Sequence, residues 1–139
     1  MHENELAKIA LDIAFKIHTQ YGPGLFESVY EKILCHEWAK TGIPFLTQQP
    51  IPLVHEELKL DAGFRADIIL DGKVILELKS VEALAPIHHA QLLTYLKLTG
   101  IKLGLLINFN TVHLKDGIHR IANRLSNLCI RRETSASSA

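Results

Sequence analysis

The chain has no excess of charge: 15 Lys and Arg balance 15 Asp and Glu in 139 residues. Nothing global draws it to nucleic acid, so any attraction to phosphate must come from a local patch. It has only two cysteines, Cys35 and Cys129, at no metal-ligand spacing. Cys35 falls on the apolar side of a helical pattern and reads as a reduced core thiol. The eight histidines form no zinc pattern. His88 and His89 are adjacent, point to different helix faces and read as helix-start surface residues, like His113 and His119 on the surface. There is no glycine-rich phosphate loop, and no motif surrounds a nucleophilic serine or cysteine. No apolar run approaches the length of a membrane span. The first twenty residues carry Glu3, Glu5 and Asp12 in place of a signal-peptide pattern. A cytoplasmic, reducing environment without membrane contact is expected.

What is there suits one globular domain. Hydrophobic content is 47% against 22% charged, in a chain long enough to bury a core. The expected domain covers residues 1–133, and the small polar tail 134–139 is expected to be disordered. Leu6, Ile9, Ala10, Ile13, Ile17 and Tyr21 predict a helix over 4–20, stopped by Gly22-Pro23-Gly24. A second helix follows, with Phe26, Val29, Tyr30, Ile33, Leu34 and Trp38 on one stripe, ending at Gly42. Residues 45–49 and 51–60 read as strands, the first at an edge because prolines flank it. Residues 64–70 and 74–80 are β runs around Asp71-Gly72, a hairpin signal. A helix over 86–99, a strand over 102–108 and a short partner strand at 111–115 complete the order. Residues 118–130 fit a helix or a start as a strand. There are no repeats and no linker. The expected class is α/β, a central mixed sheet flanked by helices.

Three charges interrupt the two β runs: Asp67, Glu77 and Lys79. Burying an unpaired charge costs several kcal/mol or more even after relaxation. Such charges must pair with one another or share a cation. Hard divalent ions such as Mg²⁺ take oxygen ligands and keep several waters. Asp67 and Glu77 supply carboxylates, and a strand carbonyl beside Glu77, that of Leu78, supplies a third oxygen. Lys79 shares the strand face of Glu77, where an ammonium can orient a water and stabilise charge on phosphate. The plainer account is a salt bridge between Lys79 and one acid.

Gln91 and Tyr95 lie four apart on one helix face. They can hydrogen-bond phosphate or water, although a core Tyr95 and a solvated Gln91 are the simpler expectation. Glu27 opens the second helix, where an acid complements the helix dipole or caps the end. Its sharper reading is a further carboxylate at the site.

Together these residues resemble the GxxExxY family of the PD-(D/E)XK nuclease superfamily. Gly24-Leu25-Phe26-Glu27-Ser28-Val29-Tyr30 matches the naming pattern. Gly63-Phe64-Arg65-Ala66-Asp67, Glu77-Leu78-Lys79-Ser80, Gln91-Leu92-Leu93-Thr94-Tyr95-Leu96 and Gly104-Leu105-Leu106-Ile107-Asn108-Phe109 look like the remaining blocks, in order. The resemblance implies a restriction-endonuclease-like core and Mg²⁺- or Mn²⁺-dependent cleavage of phosphodiester bonds, in DNA as the expected substrate. It implies Asp67 and Glu77 as metal ligands with the Leu78 carbonyl, and Lys79 and Gln91 as catalytic. Glu27 and Tyr95 would support them, and Tyr30 and Arg65 would contact substrate. Ala66 stands where the usual motif has proline, a departure that spares the ligand.

The competing reading is a non-catalytic nucleic-acid- or protein-binding module that keeps the nuclease fold; under either reading a homodimer is open to the chain. Neutral charge and small size favour it; the intact Asp67, Glu77, Lys79 and Gln91 set favours the enzyme. Arg120, Arg124, Arg131 and Arg132 read as a solvated face rather than a DNA-gripping patch. One geometric condition follows. A two-residue Asp71-Gly72 loop would pair Leu70 with Lys73 and set Asp67 and Glu77 on opposite faces. The hairpin must therefore carry an extra residue, in the simplest register a three-residue loop of Leu70-Asp71-Gly72 with Gly72 left-handed and Ile69 opposite Lys73.

Overall fold

The first helix, α1 (Glu3–Tyr21), starts from a side-chain cap. His2 Nδ1 accepts the Asn4 N–H at 3.0 Å, and the Glu5 carboxylate accepts the His2 N–H at 3.4 Å. Leu6, Ala10, Ala14 and Ile17 form its buried stripe, and Gly22 closes it at φ 70. In α2 (Glu27–Ala39) the buried stripe is Tyr30, Leu34 and Trp38, four apart. Trp38 buries its ring and donates its indole N–H to the Ile43 carbonyl at 3.0 Å. Phe26 and Val29, expected on the same stripe, are instead 81% and 37% exposed. Phe26 precedes the helix proper and takes an extended backbone, so helical periodicity does not reach it.

The computed structural model describes residues 1–123, without the side chains of residues 61–63. After the two helices come β1 (Phe45–His55), β2 (Leu58–Leu70), β3 (Val74–Lys79), α3 (Pro86–Thr99), β4 (Leu103–Asn108), a 3-10 turn (Leu114–Gly117) and β5 (Ile118–Ala122). The expected tail, Cys129, Arg124, Arg131, Arg132 and the far half of 118–130 lie outside the described residues.

The five strands among the described residues lie in chain order, with β3 and β4 parallel and the other neighbours antiparallel. The parallel step runs through α3, as a crossover must. Helices α1 and α2 pack on one face against Ile68, Leu70, Leu76, Leu78, Leu105 and Ile107. Helix α3 packs on the other, setting Leu92, Tyr95 and Leu96 against Ile69, Ile75 and Leu106. Strand β4 is buried throughout, as a covered parallel strand should be. This is the expected α/β architecture, a single domain with a mixed sheet between helices.

Two elements differ from the sequence reading. Residues 51–60 are not one strand: β1 runs on to His55 and turns through Glu56 and Glu57, and β2 begins at Leu58. Glu56 takes φ 54, a left-handed turn position in a residue that carries no turn signal. Pro50 and Pro52 stay inside β1, which tolerates them because it is an edge strand. The partner of β4 is not 111–115 but β5 at 118–122, after the 3-10 turn.

Two glycines permit close approaches. A Cβ on Gly104 would meet the Leu92 side chain at 3.0 Å, beneath α3. A Cβ on Gly117 would land on the Asn108 carbonyl oxygen, which cannot move aside like a side chain. Gly117→Ala should therefore lower the urea midpoint more than Gly104→Ala. The latter is expected within the range of about 1–3 kcal/mol typical of overpacking. Equal losses would contradict this account of the two contacts.

Candidate active site

The site begins with the hairpin register. Leu70 pairs with Val74, Ile69 with Ile75 and Ile68 with Leu76. Asp71 and Gly72 are both left-handed, at φ 49 and 64, and the Lys73 N–H closes the turn on the Leu70 carbonyl at 2.9 Å. Lys73 is thus an extra residue between turn and ladder. The expectation of an interrupted hairpin holds, but the loop is Asp71-Gly72-Lys73, one residue later than the simplest register. Ile69 faces Ile75 instead of Lys73, and Asp67 falls level with Glu77 instead of Ile75.

The ladder stops there. Beyond Ile68 and Leu76, β2 and β3 exchange no further pairs. Side-chain alternation also breaks on β2: Ala66 and Ile69 share the α3-side core, whereas Ile68 and Leu70 belong to the other. On β1, Gln48 takes φ 49 and is skipped, with Thr47 opposite Ile68 and Gln49 opposite Ala66. The sheet opens at Asp67, and side chains fill the gap. Asp67 donates its N–H to Glu77 Oε1 at 3.2 Å, and its Oδ2 accepts the Leu78 N–H at 2.9 Å. Each acid therefore caps the other strand.

These contacts put a half-buried carboxyl, that of Asp67, beside a buried one. Glu77 is only 6% exposed. Burial first, then the neighbouring Asp67 charge, push its pKa up to about 8. Burial also raises Asp67, opposed by the Leu78 N–H and by the Lys79 charge. Lys79 acts on both acids from beyond ion-pair distance, since no Lys79–carboxylate contact within 4.0 Å exists among the described residues. The salt-bridge reading of Lys79 therefore loses its geometry.

Helix α2 brings further acids. Glu27, Ser28, Glu31, Gln48, Asp67 and Leu78 line one open cleft of about 410 Å³. Glu27 caps nothing at its own helix end; its Oε2 accepts the Ser80 N–H from the end of β3 at 3.4 Å. Glu31 was not singled out from the sequence. It lies one turn beyond Glu27, and burial followed by the Asp67 charge raises its pKa. Gln48 bridges the two, donating to Glu31 Oε1 at 2.7 Å and Asp67 Oδ1 at 3.4 Å. The spacing Glu27–Glu31 was the available signal, but i,i+4 acids on a helix more often form a solvated face.

The other expected residues divide. Tyr95 is buried on α3 against Phe64, with ring centroids 5.4 Å apart, and burial and the charges of Glu77 and Asp67 raise its pKa. Gln91, one turn earlier, is half-buried and hydrogen-bonds neither acid. Arg65 is exposed on β2 and outside the cleft lining. Tyr30 is completely buried, stacked on Phe109 at 4.2 Å. Its hydroxyl donates to the Gly22 carbonyl at 2.6 Å and accepts the Leu25 N–H at 3.2 Å. Tyr30 therefore holds the loop before Glu27 and has no surface for substrate. His88 and His89 are half-buried: His88 accepts the Ala85 N–H, and His89 meets His119 edge-on at 4.8 Å.

Among the described residues no three His, Cys, Asp or Glu side chains form a ready metal cluster. The donors at hand are two adjacent carboxylates, the main chain of Leu78 and open space for water. That all-oxygen set fits a hard divalent cation and suits zinc poorly.

The buried pair makes stability pH-dependent. An acid with a raised pKa in the fold keeps a proton that the unfolded chain has released, so stability falls as pH rises between the two values. For Glu77 that window runs from 4.5 to about 8. The melting temperature of cation-free protein should fall from pH 5 to pH 8, and Glu77→Gln should flatten the slope. An unchanged slope in that variant would contradict the assignment.

No curated protein and no solved structure matches the chain. The model of one family, described as PD-(D/E)XK nuclease superfamily, matches residues 4–121. That match spans the helices, the sheet and the acids described above, and the chain belongs to the PD-(D/E)XK nuclease superfamily.

Proposed function

We propose that this protein is a divalent-cation-dependent nuclease that hydrolyses phosphodiester bonds, with DNA as substrate, and that it falls within the GxxExxY branch of its superfamily. One observation carries the reading: Asp67, half-buried, and Glu77, buried, meet at the break in the sheet with no cationic side chain among the described residues in ion-pair contact. A purely structural pair would bring its own counter-charge.

In this reading Asp67 and Glu77 hold Mg²⁺ or Mn²⁺ together with the Leu78 carbonyl. Such an ion supplies Lewis-acid chemistry, making water more acidic and offsetting phosphate charge. Lys79, near both acids yet paired with neither, orients the attacking water and stabilises charge on the phosphate. Glu31 and Gln48 fix the Asp67 carboxylate through their shared hydrogen bonds. Glu27 holds the end of β3 to the start of α2 at the border of the cleft. Tyr95 supports the Glu77 side from α3. Gln91 enters the site only by its place one turn before Tyr95, and substrate would have to draw it in.

Offered linear, circular and single-stranded DNA, the protein should cut at least one form with Mg²⁺ or Mn²⁺ and leave all of them intact with chelator. Asp67→Ala should abolish both cleavage and the stabilisation that the cation gives by mass action. Cleavage that survives this change would overturn the assignment. Binding of DNA without any cleavage by wild type would favour the module that keeps only the fold.

Lys79→Ala separates catalysis from structure. Cleavage should drop by a factor on the order of 10² or more, with the cation-induced rise in melting temperature retained. Lower stability with near-normal turnover would return Lys79 to a structural role.

A further inference from the structure

Phe26 is 81% exposed and sits immediately before Glu27. It occupies the N-cap of α2, where Ser, Thr, Asp and Asn are favoured, and makes no side-chain capping bond. The chain thus forgoes a cap and leaves a large apolar ring in water at one position.

The backbone that carries this ring is fastened on both sides. The Ser80 hydroxyl donates to the Leu25 carbonyl at 2.7 Å, and the Ser80 N–H donates to Glu27 Oε2 at 3.4 Å. Both neighbours of Phe26 are therefore fastened to one residue, the next after Lys79. The Phe26 carbonyl accepts the N–H groups of Val29 and Tyr30, and Tyr30 is anchored in the core. Phe26 also lines a second depression with Ser80 and Asn110, about 630 Å³ in volume. Glu27 and Ser28 line both this depression and the cleft of Asp67, and these two adjoining hollows make up a trough beside the start of α2.

From this placement we propose that Phe26 is a base-stacking platform and that the trough takes an unpaired nucleic-acid strand. The inference rests on the nuclease reading and deepens it. A backbone phosphate lies toward Asp67 while a neighbouring base stacks on the Phe26 ring. Stacking on an aromatic ring tolerates any base but requires the base face to be free, which a closed duplex denies. Phe26 is thus a specificity residue, selecting single strands or frayed ends.

The test is fluorescence anisotropy with three probes of equal length: oligothymidylate, the same strand with abasic sites, and a blunt duplex. Ca²⁺ replaces Mg²⁺ because it also takes oxygen ligands. Wild type should bind oligothymidylate about tenfold or more tighter than the abasic strand. Phe26→Ala should erase that preference and leave duplex binding and melting temperature unchanged, and Phe26→Trp should restore it. A preference that persists in Phe26→Ala, or equal weakening on the duplex, overturns the proposal. If wild type cuts duplex DNA and ignores bases, the nuclease reading stands and the platform falls. If it neither binds nor cuts nucleic acid, both fall.

Discussion

Two carboxyls that cannot both be charged at low cost occupy the place where β2 parts from β3. Everything nearby serves that contact. The extra residue Lys73 sets Asp67 level with Glu77. The left-handed Gln48 and the broken alternation at Ala66 release Asp67 from the ladder, so that its carboxylate reaches the Leu78 N–H. The ladder bonds lost at the opening are partly replaced by the acids themselves, which keeps the main chain satisfied. No buried side-chain polar atom lacks a partner among the described residues. What is left over is charge, and relief of that charge requires a proton or a cation.

Rigidity on either side keeps the pair from relaxing. Strand β3 is buried along nearly its whole length between two cores, α1 and α2 on one face and α3 on the other. Close-packed interiors of this kind do not collapse around a misplaced charge. Helix α2 is fixed by Trp38 and Tyr30, so Glu27 and Glu31 arrive at the cleft on a rigid element. The long β1–β2 hairpin extends past the end of the β2–β3 ladder, which leaves the cleft open at the level of Asp67.

Much of this was legible in the sequence because the decisive residues break local rules. Asp67, Glu77 and Lys79 stand out in apolar runs, and Pro86 and Gly100 bracket α3 at its observed ends. The requirement for an interrupted hairpin followed from side-chain parity once Asp67 and Glu77 were taken to share one site. The misreadings arose where nothing local was unusual. Glu56 adopts a turn conformation without a turn residue's chemistry, so β1 and β2 were divided in the wrong place. Glu31 resembles an ordinary solvated acid until the fold lays it beside Asp67. Tyr30 belongs to a recognisable motif, yet its role is internal: it ties down the loop that presents Phe26 and Glu27.

In the proposed function the Asp67–Glu77 pair holds a cation and keeps a proton in its absence. Calorimetric titration of Mn²⁺ at pH 7 in buffers of different ionisation enthalpy measures the protons released on binding. With burial and the Asp67 charge pushing the Glu77 pKa up to about 8, binding should release about one proton per ion, and Glu77→Gln should release none. Binding of Mn²⁺ without proton release, or with undiminished affinity in Asp67→Ala, would contradict the account.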